Sequence, residues 1–229
     1  RSIVKPVVPE GFDNVTTGVQ GQEQNGKPYF KPGNEAVPID YDKPATLLDP
    51  VTKQPVPSNE LPAKDPEGNV IGKYTLDPTT GVVKFTPDKS YVGSVQPVTV
   101  QRVDKNNTPA TAEYTPVIVG VKPTAKPAES TDVQGATQKQ PITFKGGTAD
   151  LEDPVGNPIK SDPVPINPDS VTLLGENGKP TDEVVVKDPK DPNKVIGKYT
   201  LVKEPGKDPV AVYTPEDKTY VGPVPPVTI

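Results

Sequence analysis

The 229-residue chain contains no cysteine, histidine, tryptophan or methionine. Without histidine and cysteine there is no Ser-His-Asp or Cys-His nucleophile pair, no thiolate chemistry and none of the usual zinc ligands. Without tryptophan the strongest platform for stacking a sugar ring is missing. Cysteine-free composition fits either a reducing cytosol or a secreted protein that does not rely on disulfides, so redox reasoning leaves the compartment open. Arginine is scarce as well, with Arg1 and Arg102 its two occurrences, and net charge is −5. The lysines are scattered among acids, so no basic stripe can neutralise a phosphate backbone, which argues against a nucleic-acid partner. No apolar run approaches the roughly 20 residues of a membrane span, and no basic segment followed by an apolar block opens the chain. The expectation is a soluble, mature or excised segment with no membrane partner.

Turns and β-branched residues are what the chain has in abundance. Its 33 prolines and 19 glycines make up roughly 23% of the residues, just under the level at which a chain reads as low-complexity. Valine outnumbers leucine about four to one, and β-branched side chains lose rotamer freedom in a helix but pack well on a pleated surface. No i, i+3, i+4, i+7 apolar pattern lasts beyond two turns and prolines interrupt it throughout, so no helix of ordinary length is expected.

The chain repeats itself. Thr17, Val19, Gln20, Gly21, Gln24, Phe30, Lys31 and Gly33 recur 114 residues later as Thr131, Val133, Gln134, Gly135, Gln138, Phe144, Lys145 and Gly147. Val70-Ile71-Gly72-Lys73-Tyr74-Thr75-Leu76 returns unchanged as Val195-Ile196-Gly197-Lys198-Tyr199-Thr200-Leu201, and Thr86-Pro87 with Tyr91-Val92-Gly93 as Thr214-Pro215 with Tyr220-Val221-Gly222. The growing offset reads as extra loop residues in the second copy, and a period near 114 suits a whole β-sandwich rather than a solenoid unit. Pro97-Val98-Thr99-Val100 continues into the alternating stretch Ala112–Val119, whereas the second copy stops at Pro226-Val227-Thr228-Ile229. Ile3-Val4-Lys5-Pro6 echoes Val119–Pro123. Both ends are therefore expected to be cuts through a longer tandem array, the second copy to lack its final strand, and its C-terminal region to be less ordered or paired with a neighbour.

Strand signals are short. Lys73–Leu76 and Val82–Phe85 flank Asp77-Pro78-Thr79-Thr80-Gly81, in which proline presets the turn and glycine supplies a positive φ, so a hairpin is expected there. Its second-copy equivalent joins Lys198–Leu201 to Val210–Tyr213. Alternation places Val98, Val100, Ala112 and Tyr114 on one face. Further strands are expected around Ile142–Phe144, Val171–Leu174 and Val184–Lys187.

Candidate chemistry is thin. Gly21-Gln22-Glu23-Gln24-Asn25-Gly26-Lys27-Pro28 has the spacing of a phosphate loop, but Pro28 replaces the hydroxyl that would ligate magnesium and no helix follows. Asp150-Leu151-Glu152-Asp153 offers oxygens to calcium, yet its first-copy equivalent is not acidic and no calcium-loop pattern surrounds it. Tyr74/Tyr199, Tyr91/Tyr220 and Phe85/Tyr213 recur in register and read as core or domain-end rings, and Gly72/Gly197 with Gly93/Gly222 as positions needing positive φ or close approach. Asn14-Val15-Thr16 and Asn106-Asn107-Thr108 match the glycosylation acceptor at chance level. Lys31 and Lys145 follow the recurrent phenylalanines, a place for a lysine–asparagine crosslink, with no evident asparagine partner.

The string Gly-x-Tyr-Thr through Gly, Phe/Tyr-Thr-Pro, Tyr-Val-Gly and Pro-Val-Thr, carried by residues 72–100 and again by 197–228, resembles the CshA-type fibril repeat of Gram-positive wall-anchored adhesins. That resemblance implies extracellular β-sandwich modules that form fibrils and display a separate N-terminal binding region for host or microbial surface proteins. The wall-sorting motif is absent, since Leu61-Pro62-Ala63-Lys64-Asp65 is no substitute for Leu-Pro-x-Thr-Gly, so wall attachment would lie in other parts of the parent protein. The expectations are an all-β chain of two tandem β-sandwich domains, elongated and head to tail. The first is 1–121, with 1–14 a lead-in from a preceding copy, and the second is 122–229. They meet near Val119–Pro127, where Lys122–Pro127 favours extended polyproline geometry. The expected role is a stalk, monomeric, with neighbouring repeats as partners, no enzymatic activity and no catalytic, cofactor or metal residue. The alternative is modules that themselves bind a host matrix protein or glycan through Pro154–Pro168 and Val202–Pro209.

Overall fold

A computed structural model describes residues 2–4, 7–126, 130–153 and 155–229. The described chain is almost entirely strand and turn, with one short 3-10 turn at Pro168–Ser170, and no helix is long and apolar enough to cross a membrane. It divides into two compact units. The first comprises Arg1–Val121 with Thr148–Val164, the second Lys122–Gly147 with Pro165–Ile229. One break between the units falls at 121/122, and residues 148–164, where the second copy carries extra length, group with the first unit.

The first unit has strands β1 (Glu10–Phe12), β2 (Asn14–Val19), β3 (Gln24–Gly26), β4 (Tyr29–Lys31), β5 (Thr46–Leu48), β6 (Glu60–Lys64), β7 (Val70–Leu76), β8 (Val83–Pro87), β9 (Val98–Val103) and β10 (Pro109–Val119). They form two four-stranded sheets, β2-β10-β9-β5 and β3-β8-β7-β6, with β1 paired to β4. Strand alternation turns Val98, Val100, Ala110, Ala112 and Tyr114 of one sheet toward Ala63, Tyr74, Leu76, Val83 and Phe85 of the other, and these residues form one core. Tyr74 packs on Phe85 (centroids 5.5 Å apart) and edge-on against Tyr114 (6.2 Å). The turn between β7 and β8 is built as expected. Asp77 accepts from the amides of Thr79 and Thr80, and Gly81 adopts φ 77°.

The second unit contains β11 (Thr124–Lys126), β12 (Gln138–Pro141), β13 (Thr143–Lys145), β16 (Leu173–Leu174), β17 (Pro180–Thr181), β18 (Glu183–Asp188), β19 (Asp191–Val202) and β20 (Val210–Pro215), while the inserted hairpin is β14 (Asp150–Glu152) and β15 (Pro158–Lys160). Its sheet β12-β20-β19-β18 reproduces β3-β8-β7-β6. Of the other sheet, Leu174 bridges to Thr228, matching the pairing of Leu48 with Thr99, and among the described residues no strand follows in the position of β10. The second core is accordingly small: Leu173, Val186, Ile196, Tyr199 and Tyr213.

Two expectations change. Residues 10–14 are not a lead-in, because Glu10–Phe12 pairs with β4 and Asn14 opens β2. Within the junction, Thr124–Lys126 is extended and also pairs with Thr143–Lys145, the same contact one repeat later; Pro127 lies outside the described residues. The C-terminal residues are paired, but within their own unit.

Candidate functional site: the terminal-strand clamp

The first and last long strands of unit 1 lie side by side and parallel, Asn14 opposite Tyr114 through Val19 opposite Val119. Everything else in the sheet is antiparallel. Side chains fasten this pair at both ends and in the middle. Before β2, the Asp13 carboxylate accepts from the Glu113 amide at 2.7 Å. Past its end, the Gln20 amide donates to the Val119 carbonyl at 2.9 Å, and the Val121 amide donates back to Gln20 Oε1 at 3.1 Å.

The middle fastener is Gln24, buried from β3. Its Oε1 accepts from the Thr16 hydroxyl at 2.6 Å and its Nε2 donates to the Val117 carbonyl at 2.9 Å. Gly18 makes room for it, since a Cβ there would stand 2.9 Å from the Gln24 side chain. Thr16 also hydrogen-bonds the Tyr114 hydroxyl. The Tyr114 ring is fully buried and lies against Gly26, where a Cβ would sit 2.1 Å from a ring carbon. Burial pushes the Tyr114 hydroxyl up from its ordinary pKa, with the Thr16 bond opposing, so it stays a neutral donor and acceptor. Pro116 sits beyond the last β9 pair, so its missing N–H breaks no bond on that side.

The recurrent aromatic residues are structural. Tyr74 and Tyr199 donate to the Gln96 and Pro225 carbonyls at 2.7 and 2.9 Å, tying the segment that follows β8 in the first unit and β20 in the second to the core. Tyr91 and Tyr220 reach the Ser94 and Pro223 carbonyls at 2.5 and 2.6 Å over Gly93 and Gly222, whose φ values are 155° and 145°. Gly72 and Gly197 serve close approach, a Cβ meeting the Thr86 and Thr214 carbonyls at 2.4 and 2.7 Å.

The remaining candidates resolve into turns and surface. The Asn157 amide, and after it the Val155 amide, donates to the Asp153 carboxylate, holding it below the ordinary carboxylate range, and Asp65 closes an equivalent turn with Asn69 and Glu67. Gly21, with φ 76°, opens a turn into β3 rather than a helix. Lys31 Nζ stands 5.2 Å from the Phe12 ring centroid and 5.7 Å from that of Tyr29, so aromatic faces rather than an asparagine meet it. Among the described residues no group of three or more Asp or Glu is placed to hold a metal ion. A cleft of about 170 Å³ opens between β5 and β6 beside Leu48, Leu61 and Tyr74, and one of about 130 Å³ in unit 2 beside Gln134, Gln138 and Tyr220.

Sequence reading found Gln20, Gln24 and their second-copy equivalents as recurrent residues without giving them a role. The signal was available: a glutamine repeated in register within an otherwise apolar fold is retained for what it bonds.

These features define a tandem β-sandwich repeat whose structural residues recur and whose terminal strands, in the first unit, are bound side by side. The chain belongs to the family described as the surface adhesin CshA repetitive domain, whose model matches residues 6–118 and again 120–229. It is a repeat segment of a surface adhesin. Among solved structures, the chain is similar to the N-terminal eight Ig domains of Down syndrome cell adhesion molecule (DSCAM), with 12% identity, 90% of this chain and 23% of that chain covered, and a TM-score of 0.33. It is also similar to the tandem Ig repeats of Dlar, with 9% identity, 90% and 95% covered, and a TM-score of 0.27. No curated protein matches.

Proposed function

We propose that this segment is a load-bearing spacer in the stalk of a Gram-positive, wall-attached adhesin, and that a separate part of the parent protein binds the host or microbial partner. The supporting observation is the parallel pair of β2 and β10. Tension applied through the ends of the first unit pulls β2 backward and β10 forward along their common axis. Every bond between them, with Asp13, Gln20 and Gln24 in addition, then carries load at once instead of opening in turn. Resistance to forced unfolding is set by the unfolding rate, which such an arrangement lowers.

The test is binding by the isolated 229-residue chain to immobilised matrix proteins and glycans. The spacer reading expects no saturable binding. Saturable binding that disappears when Pro154–Pro168 or Val202–Pro209 is replaced by Gly-Ser sequence would establish the alternative, modules that bind through their variable loops.

A further inference from the structure

The clamp has a competitor within its own chain. Ser130, Thr131, Val133 and Gln134 follow Thr16, Thr17, Val19 and Gln20 at an offset of 114, with the last three residues identical and a hydroxyl kept at the first. This copy of the strand is also nearer to β10: residues 120–129 separate Val119 from Ser130, whereas residues 20–113 separate Val19 from Tyr114. Closing the shorter loop costs less entropy, so chain connectivity favours the wrong strand and side chains must choose the right one. Exchange of equivalent elements is a characteristic failure of repeat proteins.

One position tells the two strands apart. Gly18 is buried opposite Ile118, and a Cβ there would stand 2.9 Å from the Gln24 side chain. That side chain is pinned, because its Oε1 accepts from Thr16 at 2.6 Å and its Nε2 donates to the Val117 carbonyl at 2.9 Å. Asp132 stands in this place in the second repeat. Its Cβ alone would displace Gln24, and its carboxylate would enter a buried, uncharged site. In its own repeat Asp132 is exposed and accepts from the Val133 amide at 2.8 Å. Pro127 stands where Asp13 holds the Glu113 amide, so the wrong strand lacks that bond as well.

We infer that Gly18 and Asp132 are the specificity residues of strand sorting. Glycine admits residues 14–19 to β10, and aspartate bars residues 130–133 from it. The inference rests on the geometry of the clamp and not on the load that it bears.

The absence of cysteine allows disulfide trapping in the full chain. Thr17 lies opposite Val117, so Thr17→Cys with Val117→Cys reports the correct strand, and Thr131→Cys with Val117→Cys the wrong one. Each chain is refolded from urea with its thiols reduced and then oxidised briefly in native buffer. Mass spectrometry measures the crosslinked fraction, within and between chains. The expected result is a dominant 17–117 crosslink and a small 131–117 fraction. Adding Asp132→Gly raises the 131–117 fraction about tenfold, the size of one overpacked side chain. Asp132→Ala does not, since a Cβ is enough for exclusion. Exchanging the pair, Gly18→Asp with Asp132→Gly, makes the 131–117 crosslink the major one. The inference is overturned if Asp132→Gly leaves the 131–117 fraction unchanged, if Asp132→Ala raises it as much, or if it already equals the 17–117 fraction beside the native Asp132. Because Asp132 is exposed, both single substitutions leave the second unit folded, and their comparison stands even if the exchanged chain fails to fold.

Discussion

Gly26 and Tyr114 form a testable pair, because the second repeat resolves the same space in another way. In the first unit the ring fills the site and glycine yields to it; in the second, Gln140 stands in the place of Gly26 and its Nε2 donates to the Ser130 hydroxyl at 2.8 Å. Gly26→Gln alone puts a side chain into a fully occupied core and costs about 1–3 kcal/mol or more, as overpacking does. Tyr114→Thr alone empties a ring-sized volume at a 0% exposed position and costs about 3–5 kcal/mol, like other buried aromatic truncations. If the sites were independent, the double variant would lose roughly 4–8 kcal/mol. The structure predicts less, by about 1–3 kcal/mol, because glutamine then occupies the emptied volume and bonds Thr16 as Gln140 bonds Ser130. Urea titration with hydrogen exchange followed on β9 isolates the first unit's transition. A double variant equal to the sum of the singles within about 0.5 kcal/mol would refute the reasoning.

Three further outcomes are expected. Arg102 is 4% exposed, donates to the Lys43 and Thr79 carbonyls at 3.1 Å each and stacks on Tyr41, so Arg102→Leu leaves two acceptors unpaired and lowers first-unit stability by about 2–4 kcal/mol in the same titration. The Thr219 hydroxyl and then Lys194 hold the Asp217 carboxyl down to about 2 from its ordinary 3.8. A depressed carboxyl stabilises the fold above its unfolded value and loses that effect as pH falls, so the second unit weakens between about pH 4 and 2, and Asp217→Asn flattens this part of its pH profile. Gly93→Ala introduces a Cβ 2.7 Å from the Tyr91 hydroxyl at a φ of 155°, and a loss of about 1–3 kcal/mol with release of the Tyr91–Ser94 bond is expected by calorimetry and NMR.

Local signals made the hairpins legible. Asp77-Pro78-Thr79-Thr80-Gly81 announces its turn, and the alternation of Val98, Val100, Ala112 and Tyr114 announces the buried face. The clamp was not legible, because parallel pairing of strands about 100 residues apart leaves no local pattern. Nor were β1, β3 and β4, three-residue strands with little β propensity in Gln24-Asn25-Gly26. The turn at Asp153 could have been read from Asp65, since both open an Asp-Pro-x-Gly-Asn sequence. The exchange of Gly26 and Tyr114 for Gln140 needed side chains in place, because it links a residue on β3 to one on β10 through the core.

The claim that tension is borne by the parallel terminal strands is tested most directly by stretching single molecules of the full chain from their two ends. The account predicts two unfolding events at clearly different forces, the higher belonging to the first unit and falling selectively with Gln24→Ala, which releases Val117 and Thr16 together. Two events at the same force, or a higher event untouched by that substitution, would contradict it.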